Sequence, residues 1–194
     1  AALKESYRNI KIISEIGKDI TGSLDFQKIL GNVYQKINLL VDAYDFGIAT
    51  YDERTKCINY DLFIENGHRI ETAVTSIDNP NSIAAYSLRK REVVFFIIFL
   101  KDFSNYVLDY NNVKKLGNCD DIKSIIYCPL IIEGKAMGVI TVQSKRENAY
   151  NEFSLEALNA LAYYIAIALN NFKKTNSLKK LNNKLEMLSN LDGL

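Results

Sequence analysis

Charge of one sign is what this chain most plainly lacks: 24 Lys and Arg balance 23 Asp and Glu over 194 residues, a formal net charge of +1. That excludes the strongly basic footprint of a nucleic-acid binder, and no nucleic-acid partner is expected. Histidine occurs once, at His68, and cysteine three times, at Cys57, Cys119 and Cys128. An odd, scattered set of thiols does not form a disulfide framework, and no Cys/His cluster has the spacing of a zinc site, so no metal is expected. The apolar runs Val93–Leu100 and Ile125–Ile132 are eight residues each, far short of the roughly 20 that a membrane span needs. No amino-terminal segment has signal-peptide anatomy. The expectation is a soluble, cytoplasmic chain without membrane insertion. Apolar residues at 48% and charged residues at 24% are ordinary for a globular protein, and the length suits one domain with an appendage.

What is present centres on residues 124–144, SIIYCPLIIEGKAMGVITVQS. They read as an antiparallel hairpin turning at Glu133-Gly134, with Pro129 at a position that a bulge or strand edge would tolerate. Alternation sends Gly138, Ile140 and Val142 to one face and Val139, Thr141 and Gln143 to the other. The first face is apolar, with a glycine that admits another element closely. The second mixes hydroxyl and amide groups with apolar ones, as the wall of a small-molecule pocket would.

Around this hairpin the pattern alternates between helix and strand. Leu3, Tyr7, Ile10, Ile13, Ile16 and Ile20 mark one helical stripe, ended by Thr21-Gly22-Ser23. A second helix is predicted from Asp25, as N-cap, to Val41, burying Phe26, Ile29, Leu30, Val33, Ile37 and Leu40. Asp45–Tyr51 and Cys57–Glu65 read as a strand hairpin about a charged turn, with Ile58, Tyr60, Leu62 and Ile64 sharing one face. Asn66-Gly67 turns the chain into a further strand over Arg69–Thr75. Asn79-Pro80-Asn81 precedes a short helix, Ser82–Lys90. Val93–Leu100 is too apolar to be a surface strand, and residues 101–120 look irregular.

From Ser154 a helical stripe of Leu155, Leu158, Leu161, Ile165, Ala168, Leu169 and Phe172 should pack on the domain. The pattern then continues as Leu178, Leu181, Leu185 and Leu188, in 3-4-3 spacing that is out of phase with the first stripe. The phase changes near Thr175. Lys173, Lys174, Lys179, Lys180 and Lys184 are expected to form the solvated flank of this tail. A leucine seam beyond the domain needs a partner, and a parallel coiled coil with a second copy supplies one.

This order of elements resembles a GAF domain over about residues 10–172. The hairpin Ser124–Leu130 and Gly138–Ser144 carries the resemblance most specifically, continued by Asn148-Ala149-Tyr150-Asn151-Glu152-Phe153 and Leu161–Asn171. The resemblance implies an α+β fold: a six-stranded antiparallel sheet, terminal helices on one face, and a pocket covered by the short helix and loops on the other. The expected organisation is an N-terminal helix over 1–22, the GAF-like core over 23–153, and a C-terminal helix over 154–194 continuing into a linker. Leu188-Ser189-Asn190-Leu191-Asp192-Gly193-Leu194 resembles the lead-in to a GGDEF diguanylate cyclase domain, which implies a fused signalling output. The other reading of these residues is a generic coiled-coil tail.

Catalysis by this chain is not expected. GAF-type free-methionine-sulfoxide reductases use a cysteine near the position of Cys119, with carboxylates at the places held here by Ile125, Thr141 and Gln143. Their second cysteine belongs in the helix over 82–90, where none occurs, so the thiol cycle lacks its parts. The cyclic-nucleotide signature of phosphodiesterase GAF domains is matched at Lys145 and Phe153 but not at Ser144 or at Ala157-Leu158. A bilin-type Cys-His pair is absent, and His68 beside a glycine turn reads as a solvent-facing loop residue rather than a haem ligand. No cofactor is identified. The expected pocket wall is Ile125, Tyr127, Thr141 and Gln143, with Tyr86 on the short helix and Tyr106 on the loop behind it. Their mixture of donors and acceptors suits a neutral or zwitterionic metabolite. The competing reading is that they fill a second core, the chain being a ligand-free dimerisation module.

Overall fold

The computed structural model describes residues 2–23, 25–71, 73–96, 103–109, 113 and 121–192. Helices α1 (Ala2–Thr21) and α2 (Phe26–Ile37) lead into strands β1 (Asp45–Asp52), β2 (Cys57–Glu65), β3 (His68–Arg69) and β4 (Val74–Ser76). Helix α3 (Ile83–Lys90), β5 (Val94–Phe96) and a 3-10 turn (Phe103–Asn105) follow. The hairpin β6 (Ser124–Ile132) and β7 (Lys135–Ser144) and the long helix α4 (Glu152–Asp192) complete the chain. Capping fixes two helix starts: Asp25 accepts from the amides of Gln27 (3.0 Å) and Lys28 (3.2 Å), and Ser82 Oγ accepts from Ala85 N at 3.2 Å.

The sheet is antiparallel in the order β3-β2-β1-β7-β6-β5, with β4 also on β2. Since β3 pairs with Ile64–Glu65 and β4 with Cys57–Asn59, the two share one edge, and the six expected positions hold seven strands. The single strand expected over Arg69–Thr75 is divided opposite a bulge in β2. Ile48 pairs with Leu62 but Ala49 pairs with Tyr60, leaving Asp61 as the extra residue. The same bulge corrects the expectation that Ile58, Tyr60, Leu62 and Ile64 share a face. Ile58 and Tyr60 lie in the core cluster on one side of the sheet, and Leu62 and Ile64 in the cluster on the other. Pro129 lies past the last β5–β6 pair, Val94 with Tyr127, where β6 is an edge. At Gly138 an added Cβ would stand 2.1 Å from the Ala49 carbonyl oxygen, so the approach of β1 to β7 requires glycine.

On one face α1, α2 and α4 bury the larger core, with Ile20, Ile29, Phe46, Ile126, Ile140 and Leu161 among its members. On the other, α3 closes a second cluster through Ile83, Ala84, Ala85 and Leu88. Gly17 faces the Tyr164 ring, and Asn9 and Phe153 line one groove nearer the start of both helices, so α1 and α4 run parallel. The α1 stripe is only partly used: Ile16 and Ile20 are buried, but Leu3, Tyr7 and Ile10 are 63% to 89% exposed.

Helix α4 is continuous over 41 residues, about 60 Å at the usual rise. Its first half is core, ending where Phe172 stacks on Phe26 with ring centroids 5.9 Å apart. Lys173, on the expected solvated flank, is exposed and also donates from Nζ to the Tyr51 carbonyl oxygen at 3.0 Å, tying the helix to the sheet's end. Beyond it Leu178, Leu181, Leu185 and Leu188 are 51% to 62% exposed. By length and composition α4 could cross a membrane, but half of its most apolar window is buried inside the domain, as in a core helix. Residues 97–100 of the Val93–Leu100 run, and Cys119, lie outside the described residues.

Candidate functional site

The face of the sheet turned towards α3 collects the polar groups that the hairpin alternation singles out. Register places Ile125 beside Gln143 and Tyr127 beside Thr141 across β6–β7. On the far side of β7, Asp45 lies beside Gln143 and Gly47 beside Thr141. Directly opposed residues in such a ladder hold their Cβ atoms about 5 Å apart. Asp45, Thr141 and Gln143 therefore form one contiguous polar patch. Gly47 leaves room for the Phe63 ring, since an added Cβ would meet that ring at 2.8 Å and the Thr141 methyl at 2.9 Å.

Ile125, Tyr127, Thr141 and Gln143 are all buried, and Gln143 Nε2 donates to the Tyr127 hydroxyl at 3.4 Å. Tyr86 and Tyr106 form an edge-to-face pair with centroids 5.0 Å apart, and Tyr106 meets Phe96 in the same way at 4.8 Å. Both pack against the second cluster. The structure thus sets four of the sequence-derived residues on the sheet and two in the layer over it.

Sequence reasoning missed Asp45, because Asp45–Tyr51 reads as an apolar strand. The available signal was the alternation of Phe46 and Ile48, which sends Asp45, Gly47 and Ala49 to the opposite face. Asp45 is 0% exposed, and neither of its carboxylate oxygens has a hydrogen-bond partner among the described residues. Thr141 Oγ1 and Gln143 Oε1 are also buried and unsatisfied. Native interiors pair nearly all such groups, so three in one patch call for a partner. Burial, then repulsion from Glu65, raises the Asp45 pKa to about 7 against the pull of Lys145.

Lys145 itself pairs with Asp121 Oδ2 at 3.4 Å and sits 4.6 Å from the centre of the Tyr44 ring. Ala157 and Leu158, at the positions of the cyclic-nucleotide signature's acidic pair, are core residues. His68 is exposed on β3, and no group of metal-ligating side chains occurs among the described residues. Cys128 is buried, its thiol pushed up to about 12 by burial and donated to Asn159 Oδ1 at 3.1 Å. That bond joins β6 to α4. An open groove of about 660 Å³ on the helix side is lined by Asn9, Asp42, Arg146 and Asn151 among others. Asp42 Oδ2 there already accepts from Ser144 Oγ (2.6 Å) and Arg146 Nε (2.8 Å), so that carboxylate calls for nothing more.

These elements define an α+β domain, an antiparallel sheet with terminal helices on one face and a helix-covered polar patch on the other. Residues 23–170 match the GAF domain family model, and the chain belongs to that family. Among solved structures it is similar to the GAF domain from Acinetobacter phosphoenolpyruvate-protein phosphotransferase, at 14% identity over 88% of this chain and 98% of that one, TM-score 0.67. It is similar to free methionine-R-sulfoxide reductase from Neisseria meningitidis in complex with its substrate, at 14% identity over 86% and 91%, TM-score 0.67. The GAF domain of a two-component sensor histidine kinase from Bacillus halodurans aligns at 17% identity over 79% and 99%, TM-score 0.61. At such identities the likeness is one of fold. No curated protein sequence matches the chain.

Proposed function

We propose that this chain is a cytoplasmic, ligand-responsive regulatory domain that dimerises through its terminal helices and relays pocket state to a fused output domain. The carrying observation is the continuity of α4, whose first half packs under β6 and whose second half carries a bare leucine seam. A second copy in parallel is the occupant that fits: identical 3-4-3 leucines meet their own counterparts across a two-fold axis. The exposed Leu3, Tyr7 and Ile10 of α1 extend the same need at the amino-terminal end. Residues 188–194 make a GGDEF diguanylate cyclase the favoured output.

The pocket face is read as the sensor, through Ile125, Tyr127, Thr141 and Gln143 with Tyr86 and Tyr106 above. For the relay to operate, ligand must bind two packings of α1 and α4 with different affinity. The phase change near Thr175, just past the Lys173 tie, is where such packings would diverge. A reductase role is disfavoured, because Ile125, Thr141 and Gln143 stand where that chemistry has carboxylates. Native mass spectrometry of freshly purified protein tests the reading. A dimer carrying a small-molecule adduct is expected; a dimer with no adduct from any preparation points to the ligand-free dimerisation module instead.

A further inference from the structure

Asp45 lies in the interior with no hydrogen-bond partner among the described residues, and its neighbours show what would satisfy it. A carboxylate only accepts hydrogen bonds, and burying one without a counter-charge is costly. The charged and titratable groups facing it are Glu65 on β2, Lys145 after β7, and Tyr150 beyond it. The Tyr127 hydroxyl accepts from Gln143, which lies beside Asp45. Lys145, the one cation among these, is already engaged with Asp121 and Tyr44. Glu65 adds negative charge. Among the described residues, the charges nearest Asp45 are therefore one further carboxylate and one lysine that is already engaged. Thr141 contributes a second unsatisfied oxygen, and Gln143 can present either end of its amide. Phe63 and Tyr127, in the same cluster, offer aromatic surface of the kind that attracts a cation. A hard metal ion is a poor fit, since it wants six or more oxygens and no cluster of three ligating side chains exists among the described residues.

We propose that the α3-facing side of the sheet takes a small organic cation, an amine or amidine, with Asp45 as its counter-ion and Thr141 and Gln143 as flanking polar contacts. This rests on the reading of that face as a ligand site and narrows its ligand from a neutral or zwitterionic metabolite to one bearing a positive group. The cation binds the ionised carboxylate. With the Asp45 pKa near 7, affinity falls about tenfold from pH 8 to pH 6, as the ionised fraction falls.

The test uses benzamidinium and its neutral isostere benzamide as probes of the whole chain, read by calorimetry and by amide shifts at Thr141 and Gln143. Benzamidinium is expected to bind at least about tenfold tighter than benzamide at pH 8, with the preference lost in Asp45→Asn and about tenfold weaker binding at pH 6. The pH dependence of the parent protein requires no variant, so a misfolded Asp45→Asn would not rescue the idea. Benzamide binding as tightly as benzamidinium, with shifts at Thr141 and Gln143, overturns the cation assignment and keeps the pocket. Shifts from neither probe overturn the assignment and the pocket reading together.

Discussion

Replacing Asp45 by Asn removes a titrating group from the interior while keeping its shape, and the sign of the effect follows from the two ionisation states. In the unfolded chain Asp45 ionises near 3.8; in the fold, burial and then Glu65 raise that value to about 7. Between those values the folded protein holds a proton that the unfolded chain has released. The contribution of Asp45 to stability is therefore fully present below the lower value and lost as pH rises through the upper one. Asparagine does not titrate. The stability of Asp45→Asn relative to the parent should accordingly rise by about 2.5 kcal/mol between pH 5 and pH 8. For a domain of this size that is about 5–10 °C in Tm. Urea denaturation of both proteins across that range measures it directly. Comparing the pH trend, rather than one value, cancels the constant cost of a buried amide that has no partner. A difference that stays flat from pH 5 to pH 8 refutes the view that burial outweighs the pull of Lys145 on Asp45.

Gly138→Ala should destabilise the fold by about 3 kcal/mol or more in urea denaturation, because its Cβ would collide with the Ala49 carbonyl oxygen. Loss of the α2 cap in Asp25→Ala should cost about 1 kcal/mol in the same assay. Cys128, with its thiol pushed up to about 12, should resist alkylation at pH 8 until the protein unfolds, as peptide mass spectrometry of labelled samples would report. Leu181→Asp with Leu185→Asp should yield monomers by sedimentation velocity with the helical circular dichroism of the core retained, since both residues lie outside it.

Much of the fold was legible because period and phase are local. The 3-4 stripes of α2 and α4 and the alternation of β7 from Gly138 to Gln143 place the same residues on the same faces in the structure. The errors arise where a non-local feature reverses a local one. The bulge at Asp61 exchanges the two faces of β2 midway, and no composition signal marks it. Alternation within β2 alone cannot show on which residue its partner strand slips. Lys173 is exposed as its place in the tail implies, but its bond to the Tyr51 carbonyl joins positions far apart in the chain and has no local signal. Of the candidate site, the hairpin residues could be read because their strand carries the polarity. Asp45 could not, because its significance comes from lying opposite Gln143 on a strand nearly a hundred positions distant.

Disulfide crosslinking along α4 tests the relay at its foundation. With single cysteines introduced by Leu181→Cys, Leu185→Cys, Lys180→Cys and Lys184→Cys, the two seam positions should link copies rapidly under mild oxidation and the two flanking positions should not, because a parallel seam brings each leucine onto its own counterpart. Equal linking at all four positions, or linking at none while α4 remains helical, contradicts a paired seam and the relay built on it.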